Sequence, residues 1–508
     1  MMTRLLLLIA VTALTVTTVT AQTVGVISRM DDRMSNGYTL LAPTASRLTY
    51  LLDTGGTVVN MWSSDHRPGQ AAMMIPGGRL LRTGIPNERR PLAGGGVGGI
   101  VEEFDWAGNR TWLFEYVDTA YRAHHDVEYL PNGNILLLTW EPISRQEALE
   151  LGRRPERLVD SALWMETIIE VQPTRPVGGT IVWRWSTRDH LVQNTNPILP
   201  NYGEAHDSIH RIDINAGENR TDWLHMNSIR YHADRDEILV SVRNLNEIWI
   251  IARSTGHIVY RWGNPFAYGR GTRNDQQLFA QHDARWIPDG YPGAGNILIF
   301  NNGIGRQQVF STVEEIRPPL VAGVYSITPG QAFGPQQPTW RYDPGFPTDF
   351  ISPNISGAVR LSNGNTLACV GVRGTLVELA ADSTIVWRYI NPVGASGPVA
   401  QGSPVPGGNQ VFKVTRYTAT SPELLGQPLR SYGKLEEGPL STVPSDSPRT
   451  ETVLASHLLT ITDSMRGFRF MEAYDVLGRR LQFWNLANES PSSVVSLPFG
   501  TLLVRFER

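Results

Sequence analysis

A short aromatic stretch recurs six times along the chain, each copy closing a run of strand-like residues. The copies are TVVNMW ending at Trp62, RTWLFEY around Phe114, TIVWRW ending at Trp185, HIVYRW ending at Trp262, TWRY ending at Tyr342 and TIVWRY ending at Tyr389. β-Branched and aromatic residues in such short runs mark strands. Each copy follows a G-x or D-x turn after another apolar run, as in EIWIIARSTG and TLVELAADS. Further upstream two more runs are joined by an NGN-type turn, as in HHDVEYLPNGNILLL and SGAVRLSNGNTLACV. The unit therefore reads as four short antiparallel strands. Repeats of such sheets form a β-propeller, which closes radially and leaves few exposed edges. The sequence thus predicts an all-β protein with six blades, and spacings of 47 to 80 residues between copies predict long insertions.

The first strand of the unit carries a polar residue at a fixed place. His125 lies nine residues before Asn134, Asn227 nine before Asp236, and Ser356 nine before Asn365; His282 precedes Asn296 with a Gly/Pro insertion between them. The innermost strand of a blade lines the central channel, so these side chains are expected to meet near its mouth. A lone strand histidine is usually structural, which is the reading for His66, His190, His257 and His457. His124 beside His125 is a secondary candidate, because alternation turns only one of the two toward the channel. With His225 and Arg243 added, three imidazoles and a guanidinium fit two chemistries. One is a metal site built from His125, His225 and His282. The other is transfer of a tetrahedral oxyanion, held by Arg and attacked by His.

Two insertions flank these residues. Residues 143–163 have helical composition, and 186–222 are loop-like, rich in His, Asn and Asp, and lead into His225. Insertions on one face of a repeat array commonly build its binding surface.

Residues 1–21 read as a secretory signal, with Arg4, the run LLLLIAVTALTV and cleavage after Ala21. The run is too short for a membrane span, so the expectation is an exported, soluble protein. A net charge of −3 and a pI near 6.4 provide no general attraction to nucleic acid. The only cysteine, Cys369, excludes an internal disulfide and reads as a buried strand residue. The propeller is assigned to residues 22–430, a Pro/Ser/Thr-rich linker to 431–451 and a small β-sandwich-like domain to 452–508.

From His124 to about Gln427 the chain resembles the bacterial arylsulfotransferases, six-bladed propellers of the exported compartment. HHDVEYLPNGN, DWLHMNSIRYHADRDEILVSVRNLNEIWII, YRWGNPFAYGRGT, QHDARWIPDGYPGAGNILIFNNG, SPNISGAVRLSNGNTL and NQVFKVTRY carry the resemblance, in the family's order. It implies transfer of a sulfuryl group from a phenolic sulfate ester to a phenolic acceptor, through a sulfohistidine and without a nucleotide sulfate donor. No cofactor or metal is implied. The nucleophile falls on His282, the supporting histidines on His125 and His225, the sulfate-binding arginine on Arg243 and the sulfuryl-contacting asparagine on Asn227. His124 and Ser356 are carried as further substrate-binding candidates. Relatives include dimers, so a homodimer is among the expectations.

The tail resembles the sorting domain of type IX secretion cargo. Tyr474-Asp475-Val476-Leu477-Gly478-Arg479 and Leu497-Pro498-Phe499-Gly500 match its YDxLGR and LPxG elements, which implies the type IX secretion machinery as a partner. Two rival functions are a catalytically silent propeller that binds a ligand or glycan, and a metal-dependent hydrolase.

Overall fold

In the computed structural model, residues 22–438 are described apart from 89–90 and 346–347, together with strands between 451 and 507. Residues 1–21, read above as a signal, and residues 439–450, within the expected linker, lie outside the described residues.

Six antiparallel sheets form the propeller, five of four strands and one of five. Blade two holds strands Arg67–Ile75, Arg79–Ile85, Ile100–Phe104 and Arg110–Glu115. Blade three holds Arg122–Tyr129, Ile135–Ser144, Ala162–Pro173 and Gly179–Ser186. Blade four runs from Met226–His232 through Glu237–Val242 and Glu247–Ala252 to Ile258–Trp262. Blade five comprises His282–Trp286, Ile297–Asn301, Thr312–Ile316 and Trp340–Tyr342. Blade six comprises Gly357–Arg360, Thr366–Val370, Thr375–Leu379 and Ile385–Ile390. Every aromatic stretch is the outermost strand of this four-strand unit, as the repeat required.

The ring is closed from both ends of the chain. Blade one takes Tyr38–Leu41, Leu48–Asp53 and Val58–Ser63 from its own segment, and its innermost strand, Thr415–Tyr417, from the far end. The first strand, Gly25–Arg29, pairs with Ile385–Ile390 as a fifth, outer strand on blade six. Both closures convert exposed edges into hydrogen-bonded pairs. The chain stays on blade one past residue 430, where Tyr432 donates to the Val58 carbonyl and Val58 to that of Gly433.

Apolar side chains collect between neighbouring blades. Six buried clusters lie between successive pairs, such as Leu136, Leu138 and Ile168 with Ile229 and Val240 between blades three and four. The outer tryptophans also bind neighbouring blades by a hydrogen bond. The indoles of Trp62, Trp112, Trp185, Trp262 and Trp387 donate to the carbonyls of Asp105, Gly178, Gly256, Pro335 and Thr54, at 2.7–2.9 Å. Each acceptor belongs to the blade next in the ring, so the aromatic repeat is an inter-blade fastening. A buried indole N–H needs such a partner.

The insertion at 143–163 contains the helix Arg145–Glu150, which Ser144 and Glu147 start with a capping box. Residues 187–222 form a long loop with one short parallel pair, Leu191–Val192 with Ile212–Asp213. In the tail, strands Glu451–Val453, Thr501–Glu507, Phe470–Asp475 and Arg480–Asn485 form one sheet in that order, and Leu458–Thr460 pairs with Val494–Ser496. No helix among the described residues is long and apolar enough to cross a membrane.

Candidate active site

A cavity of about 840 Å³ opens at one mouth of the channel. All six blades reach it, through Thr44, Gln70, His125, His225, His282 and Ile355 in ring order. Arg243 and Asp222 also line it. Bulges interrupt the register of the innermost strands of blades three, four and five at this end. A bulge turns side chains out of strict alternation and re-aims them. His125 (φ 47°) and His225 (φ 54°) hold left-handed backbone, a strained state for a non-glycine residue that clusters at functional sites.

His282 begins the inner strand of blade five and is buried. Its Nδ1 lies 2.7 Å from Asn302 Oδ1 and 3.1 Å from the Ala280 carbonyl. The Asn302 amide nitrogen donates to the carbonyls of Ser352 (2.7 Å) and Ile355 (3.0 Å), which fixes its oxygen toward His282. Nδ1 therefore carries the proton, and the lone pair sits on Nε2, where the Ile355 N–H donates to it at 3.2 Å. Burial, then the positive Arg243, push the His282 pKa down to about 3, so the ring is neutral at ordinary pH.

His225 precedes the inner strand of blade four. Its Nδ1 is 2.5 Å from Asp222 Oδ2, at the end of the 187–222 loop. The carboxylate accepts a hydrogen bond from Nδ1–H and leaves Nε2 as the ring's other nitrogen. Arg243 stands just past the second strand of the same blade, and its backbone N–H donates to the His225 carbonyl. Burial and the nearby Arg220 lower its pKa, but a guanidinium keeps its charge in proteins.

The His125 and His225 rings meet edge to face, centroids 4.6 Å apart. His125 Nδ1 is 2.8 Å from Nδ1 of the buried His124, whose Nε2 is 2.9 Å from Glu166 Oε2. A Cβ at Gly96 would overlap the His125 ring, so the glycine run at 94–96 makes room for it.

Three candidates stand behind the cavity wall. His124 stacks on Trp140 at 4.2 Å. Asn227 is fully buried and donates to the Gln281 carbonyl at 2.8 Å, bridging blade four to the strand that carries His282. Ser356 donates to Ser352 Oγ at 2.8 Å and accepts from the Gly371 N–H at 2.9 Å; its neighbours Asn354 and Ile355 line the cavity instead. The aspartates that follow the histidines serve structure. Asp126 binds Lys413 (2.6 Å) and Arg230 (2.9 Å), and Arg230 reaches Asp283 (2.8 Å), tying blades three, four and five to the closing segment. Among the described residues no group of three or more His, Cys, Asp or Glu is placed to hold a metal ion.

The arylsulfotransferase (ASST) family model matches residues 23–392, nearly three quarters of the sequence. The chain belongs to the arylsulfotransferase family. That family implies phenolic sulfate substrates. Among solved structures, a protein of unknown function from Bacteroides caccae is similar at 10% identity and a TM-score of 0.41, over 75% of this chain and 99% of that one. A streptogramin B lyase structure shares 11% identity at a TM-score of 0.35, over 75% of this chain and 86% of that one. A protein from Lactobacillus plantarum shares 10% identity at a TM-score of 0.38, over 93% of this chain and all of that one. No curated protein matches the sequence.

Sequence reasoning missed Asn302, Asp222 and Glu166, which contact His282, His225 and His124. Asn302 had a signal: like Arg243 it stands one residue past the second strand of its blade. Asp222 and Glu166 had none, since a loop and a third strand bring them in.

Proposed function

We propose that the protein moves a sulfuryl group from a phenolic sulfate ester to a phenolic acceptor by two displacements at His282, without a nucleotide donor. The observation that carries this reading is the His282 tautomer. A neutral ring with Nδ1–H held by Asn302 keeps its lone pair on Nε2 at the cavity edge, and the Ile355 N–H that this lone pair accepts passes to a sulfuryl oxygen as Nε2 attacks. In the first displacement the Nε2–S bond forms as the S–O bond to the phenolate breaks. Nδ1–H remains on Asn302 and carries the ring's developing positive charge. In the second the acceptor oxygen takes the sulfuryl group and Nε2 regains its lone pair. Arg243, His225 and the Ile355 N–H face the same space and stabilise the sulfuryl oxygens as charge moves between oxygen and nitrogen.

Purified protein incubated with 4-nitrophenyl sulfate is expected to release nitrophenolate in a phenol-dependent manner, with or without EDTA. His282→Ala should abolish release. No release with any phenol would sink the reading in favour of a binding propeller, and loss with EDTA would favour a metal hydrolase. We further propose that the chain is exported by cleavage after Ala21 and carried outward by type IX secretion. The YDVLGR and LPFG elements support that route.

A further inference from the structure

We propose that Glu166, His124 and His125 form a buried proton store that gives a proton to the departing phenolate and recovers it from the acceptor phenol. The inference rests on the sulfuryl-transfer reading and assigns that site its proton carrier.

The three groups form one line from the interior to the cavity. Glu166 lies in the third strand of blade three, is 1% exposed, and accepts the Met226 N–H on Oε1 at 2.8 Å. Its Oε2 meets His124 Nε2 at 2.9 Å, and His124 Nδ1 meets His125 Nδ1 at 2.8 Å. His125 Nε2 is the remaining nitrogen, on a ring that lines the cavity. Stacking on Trp140 holds His124 in this line.

Third-strand glutamates of other blades are neutralised differently. Glu102, Glu247, Glu314 and Glu378 each pair with an arginine. Glu166 faces His124 instead. Burial, then the negative Asp222, hold its carboxyl well above the ordinary range, so it is a neutral acid at working pH.

Two proton arrangements satisfy every contact. In the loaded state the Glu166 carboxyl donates to His124 Nε2, His124 Nδ1–H donates to His125 Nδ1, and His125 presents Nε2–H to the cavity. In the discharged state Glu166 is a carboxylate, both inner protons have moved one step outward, toward the cavity, and His125 Nε2 offers a lone pair. One proton entering or leaving at Nε2 interconverts them, and neither contains an imidazolium. That matters because burial, with His225, His124, His282 and Arg243 as its charged or chargeable neighbours, disfavours a cation at His125.

The balance closes over the cycle. As the S–O bond breaks, the phenolate oxygen takes the Nε2 proton of His125. His124 reprotonates His125 at Nδ1, and Glu166 reprotonates His124 at Nε2. When the acceptor phenol attacks N-sulfo-His282, its proton retraces the path and Glu166 is again an acid. His125 is then the catalytic residue, and His124 and Glu166 are positioning residues that act through it.

The test is Glu166→Gln in the full chain, since an amide can make either hydrogen bond but cannot pass a proton. A weakly basic leaving group such as 4-nitrophenolate needs little protonation, whereas phenolate needs it. The loss in the first-displacement rate should therefore be at least about tenfold greater with phenyl sulfate than with 4-nitrophenyl sulfate. Equal proportional loss, or none, would overturn the store while leaving wild-type sulfuryl transfer intact. His124→Gln should show the same leaving-group dependence. Infrared spectroscopy of the resting protein is independent of activity and of the transfer reading. A protonated-carboxyl band that disappears in Glu166→Gln supports the store, and its absence from the wild type rejects it.

Discussion

At the scale of single residues, burial sets the chemistry more than proximity does. His124 and His282 would each titrate near 6.5 in the unfolded chain, and both are pushed down to about 3 in the fold, first by burial. The unfolded state therefore binds protons that the folded state refuses, so stability falls as pH drops below 6.5 and continues to fall toward 3. The stability difference between wild type and His282→Gln should shift against the wild type by at most about 1.4 kcal/mol per pH unit in that window. Urea unfolding midpoints across the range measure it, and a difference independent of pH would contradict a neutral buried His282. The place of His282 was legible, because QHDARW repeats the HHDVEY pattern at the start of a strand. Its tautomer was not, because Asn302, Ser352 and Ile355 come from later segments.

At the scale of elements, the outer strands do more than fill space. A tryptophan in five of the six outer strands reaches the next blade's turn, so one residue type supplies both apolar packing and the hydrogen bond between sheets. Trp185→Phe keeps the ring's apolar body and leaves the Gly256 carbonyl without its indole donor. It should cost about 1–3 kcal/mol in denaturant unfolding, with little effect on sulfuryl transfer, because the bond lies on the outer strand. No change in stability would reduce the aromatic repeat to packing alone. The strands and turns were legible because period-two alternation and NGN turns are local. Bulges were not, although they place the histidines: they depend on register with the second strand, as at Met226 and Ser228 against Val242 and Ser241.

At the scale of the whole molecule, closure and export are separate matters. Residues 25–29 and 415–417 lie on blades six and one, so each chain end supplies a strand to a sheet formed mostly by distant residues. The buried charges Asp126, Arg230, Asp283 and Lys413 then join three blades to the closing segment behind the histidines of the cavity. If export follows the proposed route, secreted protein should begin at Gln22 by mass spectrometry, and deletion of the segment from Glu451 onward should trap it inside the cell. An unprocessed N-terminus or unchanged secretion of the shortened chain would reject that route. By itself the sequence determined the repeat number, the all-β class and which residue types gather at the channel, because each is written in local periodicity and in residues at equivalent places. Only the tertiary structure decided how the ring closes, that Asn227 and Ser356 stand behind the wall, and that Asp222, Glu166 and Asn302 contact His225, His124 and His282. Those contacts join residues far apart along the chain, and their burial, which fixes where protons sit, exists only once the blades have closed.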